Sequence, residues 1–255
     1  MTPIYLSMTS IYERQDRLLI TLSSLLKQNI IFDKIFLYLS EEPYLLDSGF
    51  TNRKITNDKL TSLLNANKDL IQVKWVENTG PFRKLLPLLK EKWMEDCIII
   101  TCDDDCFYTK SLIKNLVSDY TIHKCCVNYR GHYLKKDMCL ELEKFNNTIE
   151  EVNGKKSIYN FPTGKGCILY KPEFFYKTKD IIFDNSFYSK YCPTDDDLWF
   201  FIMRTINNVP CYMDNNVRFC DKDLYGRGLF EVYNNKQNRE LNTKNILKLL
   251  VPLDS

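Results

Sequence analysis

Short apolar runs alternate with amphipathic stretches over the first half of the chain. Ile4 to Met8 is brief and apolar enough for a strand buried in a sheet. Leu18, Leu19, Leu22, Leu25 and Leu26 follow at spacings of three and four, the period of one helix face. The alternation repeats, with strands expected at Lys34 to Leu39, Ile71 to Val76 and Cys97 to Thr101, and helices near Asn57 to Leu64 and Phe82 to Trp93. A helix at Ser111 to Tyr120 and a strand at Cys125 to Tyr129 continue it. Strand and helix in regular turn predict an α/β fold built on a mostly parallel sheet flanked by helices.

The second half is less regular. Lys135 to Lys156 is polar without a clear period, and Asn146-Asn147 and Asn153-Gly154 mark turns in it. Gly166 to Tyr170 and Val209 to Tyr212 read as strands, Asp196 to Ile206 and Thr243 to Leu250 as helices. Phe174, Phe175, Tyr176, Phe183, Phe187 and Tyr188 read as packing residues because of the apolar area they bring. Neither a repeat nor a linker interrupts the sequence, so residues 1–255 are expected to form one domain.

With 255 residues and 44% hydrophobic content, the chain can bury a large core. Its 35 Lys and Arg against 33 Asp and Glu create no bulk field for nucleic acid or an acidic membrane, which points to a small-molecule partner. The ten Cys lack a disulfide framework or zinc-ribbon spacing and read as reduced thiols. His123 and His132 are the only His residues that could join Cys125 and Cys126 in a zinc site. The start of the chain lacks the pattern of a signal peptide, and no stretch reaches the length of a membrane span, so a cytoplasmic setting is expected.

The expected strand at Cys97 to Thr101 runs into Asp103, Asp104 and Asp105. Ligands of open α/β sheets sit beyond the carboxyl ends of the strands, so this triplet reads as a seat for a divalent metal and its ligand. Alternation along an extended chain would put Asp103 and Asp105 on one side, one for a polar ligand group and one for Mg²⁺ or Mn²⁺. A solvated acidic turn is the competing reading. A second triplet, Asp195, Asp196 and Asp197, opens a helix after Thr194. Capping accounts for two of its carboxylates, while a third beside Leu198 and Trp199 could have a raised pKa and act as a general base.

Three other segments carry possible chemistry. Asn78 to Pro87 includes Arg83 and Lys84 at an expected helix start, a setting suited to a phosphate or a base carbonyl. Gly164-Lys165-Gly166 lacks the pattern of a phosphate loop and reads as backbone that tolerates close approach by a ligand. Gly226-Arg227-Gly228 is either an ordinary loop or an Arg-bearing flap over a diphosphate.

In order and spacing these pieces resemble the nucleotide-sugar glycosyltransferases of the GT-A type, and within them the group that includes the rhamnosyltransferase domain of chloroviruses. The matching residues are Ile4 to Ile11 with Arg14, Ser24 to Gln28, Asp33 to Ile35, Gly80-Pro81 with Lys84, and Asp103 to Asp105 with Tyr108. Tyr129-Arg130-Gly131, Gly164 to Tyr170 with Pro172, and Asp196 to Trp199 complete them, so the likeness covers most of residues 4–212. Met8-Thr9-Ser10 departs from the pair of Thr that relatives tend to carry, and no His follows Tyr212 to serve as a further metal ligand.

The resemblance implies a GT-A fold, with residues 4–131 as the nucleotide-sugar-binding part and 157–255 as the acceptor-binding part. It implies a viral glycosyltransferase of the hexosyltransferase class, working in the host cytoplasm in glycan synthesis. The reaction would be metal-dependent and inverting, from a UDP-sugar or another nucleotide sugar to the hydroxyl of a glycan or other acceptor, with Mn²⁺ or Mg²⁺ as cofactor. In that scheme Asp105 and Asp103 hold the metal together with diphosphate oxygens and water. Asp103 meets the ribose and Asp104 lies beside it, Thr9, Ser10 and Arg14 face the nucleobase with Lys84 nearby, and the base is Asp197, then Asp196, then Asp195. The alternatives are a metal-dependent nucleotidyltransferase, which would release pyrophosphate, and a nucleotide-sugar binding module without turnover.

Overall fold

The structure, a computed structural model, describes residues 2–133, 152–224, 226 and 228–233. Among them the strands are β1 (Ile4–Thr9), β2 (Lys34–Leu39), β3 (Ile71–Trp75), β4 (Ile98–Cys102), β5 (Cys106–Tyr108) and β6 (Cys126–Asn128). They continue with β7 (Gly131–Tyr133), β8 (Lys155–Ser157), β9 (Asn160–Pro162), β10 (Ile168–Tyr170), β11 (Cys211–Met213) and β12 (Cys220–Asp223). The α-helices are α1 (Gln15–Leu25), α2 (Asp58–Ala66), α3 (Leu86–Glu91), α4 (Leu112–His123), α5 (Lys179–Ile182), α6 (Asn185–Tyr191), α7 (Asp196–Ile206) and α8 (Leu229–Val232).

Eight strands form the main sheet in the order β3-β2-β1-β4-β10-β6-β11-β8. The first four are mutually parallel, and only β10 and β8 run against the common direction. Helices cover both faces, which explains why β4 is buried at every position, and apolar at all but Thr101, rather than alternating. Ile98 and Ile100 pack with Leu18, Leu22 and Leu25 of α1, while Ile99 packs on the other face with Leu88 and Leu89 of α3 and Trp199 and Phe200 of α7. Each such buried aliphatic side chain contributes roughly 1.5–3 kcal/mol. No helix among the described residues is long and apolar enough to cross a membrane.

The alternating first half matches its sequence pattern, with strand and helix ends displaced by a few residues. The helix expected at Phe82 to Trp93 is instead a 3-10 turn, Gly80–Lys84, followed by α3. Pro87 explains the break, because in a continuous helix its ring would meet the carbonyl of residue 83 and it has no N–H to donate. The strands that escaped prediction include β5, β7, β8 and β9, each of three residues. β8 ends the segment read as an irregular excursion, and the helix expected at Thr243 to Leu250 lies outside the described residues. Phe174, Phe175 and Tyr188 are buried as expected of packing residues, and Tyr176 is 43% exposed.

Cys125 and Cys126 are buried at β6, and among the described residues no group of three His, Cys, Asp or Glu converges to hold a metal. The zinc alternative therefore has no site there. The described cysteines are free thiols.

Candidate active site

β1 and β4 run side by side in parallel, with Met8 opposite Cys102, so the residues that follow each strand emerge together at one sheet edge. β10 runs against β4, with Ile168 opposite Thr101, and this delivers the segment leading into β10 to the same edge. α7 begins there as well. The result is a cleft of about 400 Å³ whose lining includes Thr9, Ser10, Arg14, Lys84, Asp103 to Asp105 and Asp195 to Asp197.

β4 ends at Cys102, and Asp103 to Asp105 form a turn into β5. Strand alternation therefore does not sort the three carboxylates, contrary to the expectation from spacing. Their partners sort them. Asp104 is 5% exposed and accepts from Ser10 Oγ at 2.5 Å and Arg14 Nη1 at 2.9 Å. Asp103 accepts from Lys84 Nζ at 2.6 Å, and Tyr108 Oη is 3.0 Å from its backbone nitrogen, which donates to it. Asp105 has weaker compensation, with Arg14 Nη1 3.9 Å from Oδ2. Burial and the charges of Asp103 and Asp104 push its pKa up to about 6. Burial acts upward on Asp103 too, but the Lys84 ammonium outweighs it and holds that carboxyl below its usual range.

The second triplet divides in another way. Asp195 is the cap of α7, accepting from the Leu198 N–H at 3.2 Å. It is 2% exposed, and as a helix cap it is a poor candidate for the base, a correction to its place in the sequence reading. Asp196 Oδ2 lies 3.1 Å from Lys84 Nζ, within ion-pair range but without hydrogen-bond alignment. Burial raises the Asp196 pKa in spite of Lys84. Asp197 receives the Gly164 N–H on both oxygens, at 3.0 and 3.1 Å, and remains partly exposed to the cleft. Burial and the neighbouring Asp196 push its pKa up to about 8.

The cations of the Asn78 to Pro87 segment do not offer themselves to a phosphate as the sequence suggested. Arg83 is 1% exposed and pairs with Asp47 at 2.9 Å, while Lys84 is spent on Asp103 and Asp196. Burial works against the Lys84 ammonium, but the surrounding carboxylates overcome it and hold its pKa well above the usual value. Thr9 Oγ1 donates to the Tyr38 carbonyl, so it braces β2 beside the cleft.

The close approach inferred at Gly164 is real, but it is made by the protein's own side chains. A Cβ there would lie 2.6 Å from Lys84 Nζ and 2.9 Å from Asp103 Oδ1. Gly228 lines the cleft and Gly226 packs on the Arg17 guanidinium, while Arg227 lies outside the described residues.

Two pairings gave no signal in the sequence. Asp47 is distant from Arg83 in the chain, and Lys165 meets Asp223 at 2.5 Å only because β12 pairs with β5 beside the acidic turn. Arg130 also lines the cleft and donates to Thr163 Oγ1 at 2.8 Å. Arg130 was named in the resemblance as part of Tyr129-Arg130-Gly131, without a role.

No family model matches the chain, and no curated protein matches it. Among solved structures it is similar to S. aureus TarS 1–349, with 17% identity over 86% of this chain and 59% of that one and a TM-score of 0.52. Against the same protein in complex with UDP-GlcNAc the identity is 12% over 91% of this chain and 62% of that one, with a TM-score of 0.57. It is also similar to 4-diphosphocytidyl-2C-methyl-D-erythritol synthase from Anaerococcus prevotii DSM 20548, at 12% identity over 85% of this chain and 92% of that one, with a TM-score of 0.50. The chain thus spans about three fifths of the length of the TarS structures. At these identities the likeness is one of fold, and the fold is GT-A, that of nucleotide-diphospho-sugar transferases.

Proposed function

We propose that the chain is a metal-dependent glycosyltransferase of the hexosyltransferase class that moves a sugar from a UDP-sugar to an acceptor hydroxyl with inversion. The observation that carries this reading is one cleft with two carboxylates of raised pKa, Asp105 after β4 and Asp197 at the start of α7. TarS structures hold UDP-GlcNAc and UDP, which supports a nucleotide-sugar donor within this fold.

Asp105 fits a hard divalent cation, because it is an oxygen donor whose charge the neighbouring side chains leave poorly compensated. Among the described residues no three-donor cage exists, so Asp105 would share Mn²⁺ or Mg²⁺ with diphosphate oxygens and water. The bound cation supplies positive charge against the leaving diphosphate. Asp197 takes the proton of the acceptor hydroxyl as its oxygen bonds to the anomeric carbon, and the bond from that carbon to the diphosphate oxygen breaks. A pKa of about 8 suits a base working near neutrality. The Gly164 N–H steadies the carboxylate during that transfer. Asp103 has one oxygen on Lys84 and offers the other to the ribose. Arg14 and Ser10 act on the nucleotide through Asp104, which they hold in place.

The likeness to a diphosphocytidyl-methylerythritol synthase keeps a nucleotidyltransferase as the second reading. Two things weigh against it. Arg83 and Lys84 are already paired internally, and Asp197 stands where an acceptor can meet a base. A thermal-shift screen of nucleotide sugars with Mn²⁺, followed by product analysis, tests the proposal, since a ligand of the native state raises the melting temperature. Release of UDP with sugar transfer is expected. Release of pyrophosphate from a nucleoside triphosphate and a sugar phosphate supplied together, or donor binding without consumption, would replace it with one of the alternatives.

A further inference from the structure

Lys84 meets both acidic clusters at once. Its main chain is pinned from the central strand, where buried Ser7 donates through Oγ to the Lys84 carbonyl at 2.5 Å. Lys84 is 8% exposed, and its ammonium donates to Asp103 of the first cluster at 2.6 Å and lies 3.1 Å from Asp196 of the second. Gly164 closes the junction from the third side. Its N–H binds the Asp197 carboxylate, and a Cβ on it would reach within 2.6 Å of Lys84 Nζ and 3.2 Å of Asp197 Oδ1.

The loop that carries Gly164 is itself fixed. The Thr163 N–H donates to the Arg130 carbonyl at 2.9 Å, Asn128 Nδ2 donates to the Thr163 carbonyl at 3.2 Å, and the Cys167 N–H donates to the Gly164 carbonyl at 2.9 Å. Two backbone segments far apart in sequence therefore hold one ammonium and one bare Cα against three carboxylates. Without the cation, the buried Asp196 and the partly exposed Asp103 would lose the charge they share, and leaving a buried carboxylate unpaired is costly. Lys84 lines the cleft, but its charge is already matched by Asp103 and Asp196, so it brings little net positive charge to a donor phosphate.

On the proposed transferase reading, we infer that Lys84 and Gly164 form one positioning unit that sets the acceptor-side base Asp197 against the donor-side carboxylate Asp103. Lys84 then acts through these groups rather than by touching the donor. A cation that only bound the nucleotide would act alike on ground and transition states and would appear in the donor KM.

The test is a double-mutant cycle of Lys84→Met, Gly164→Ala and the two together, read first as melting temperature and then as UDP affinity, donor KM and kcat. Lys84→Met is expected to lower kcat by about 100-fold with UDP affinity within about threefold of wild type, as loss of a transition-state arrangement requires. Gly164→Ala should lower kcat about tenfold in the wild-type background and have a smaller further effect once Nζ, the atom nearest the added methyl, is gone, although Asp103 Oδ1 would still lie 2.9 Å from it. Its destabilising effect on the melting temperature should shrink in the same way. A Lys84→Met variant with unchanged kcat and a donor KM raised about tenfold would make Lys84 a donor ligand and overturn the inference. Additive effects in the cycle would overturn it as well. If the wild type transfers no sugar, the functional reading fails by itself, and coupling or additivity in the melting temperatures still upholds or overturns the unit.

Discussion

The two acidic triplets look alike in sequence and are built differently. Asp103 to Asp105 occupy a turn between β4 and β5, where no helix dipole helps, so side-chain cations from β1's flank and the loop after β3 must supply the compensation. Asp195 to Asp197 open α7, whose unpaired N–H groups and dipole already favour anions. There one carboxylate caps, one meets Lys84, and one projects into the cleft on a single backbone N–H. Each triplet thus retains one poorly compensated member, Asp105 in the first and Asp197 in the second. A run of carboxylates carries chemistry through the member its neighbours leave over, and nearest-neighbour sequence does not reveal which that is.

The largest effect should come from breaking the second triplet at its partly exposed member. Asp197→Asn keeps the shape and cannot take a proton, so transfer should fall by about 10²- to 10⁴-fold while UDP affinity and melting temperature stay near wild type. Kinetics, calorimetry and thermal melting on one preparation check this. Near wild-type transfer would pass the base role to Asp196. The matching cut in the first triplet, Asp105→Asn, should weaken UDP binding in Mn²⁺ by about tenfold or more and remove its sensitivity to chelator, since an amide is a poor partner for a hard cation. Equal UDP affinity in mutant and wild type, with or without chelator, would end the metal assignment.

Asp195→Ala sharpens the contrast from the structural side. Loss of the cap should cost about 0.5–2 kcal/mol while the folded protein still transfers sugar. Denaturant unfolding beside an activity assay separates it from Asp197→Asn. The smallest effect is a slope in the pH dependence of stability. The raised pKa of Asp197, about 8, means that it binds more protons folded than unfolded from the ordinary carboxylate range up to that pH. Its contribution therefore favours the folded state at low pH and is lost as pH rises through about 8. Melting temperatures of wild type and Asp197→Asn between about pH 5 and about pH 9 should show a flatter curve for the variant. Parallel curves would mean that the Asp197 pKa is not raised.

The sheet-forming runs, the leucine face of α1 and the Asp-led start of α7 were legible because each depends on residues a few positions apart, and burial of those apolar faces outweighs local preference. The break at Pro87 was legible in principle from the same local rules. The cleft-lining residues named from motifs do gather around one cavity, since strand ends of a parallel sheet converge at one edge. What sequence alone determined, then, is the α/β alternation and where carboxylates, glycines and cations stand along the chain. Tertiary structure alone decided which charge meets which. The antiparallel insertion of β10 beside β4 brings Gly164 to Asp197 and Lys84, and Asp47 finds Arg83 across 36 residues. Those pairings rest on strand order and on the cost of burying a charge without a partner, and both depend on through-space neighbours that a linear spacing does not contain.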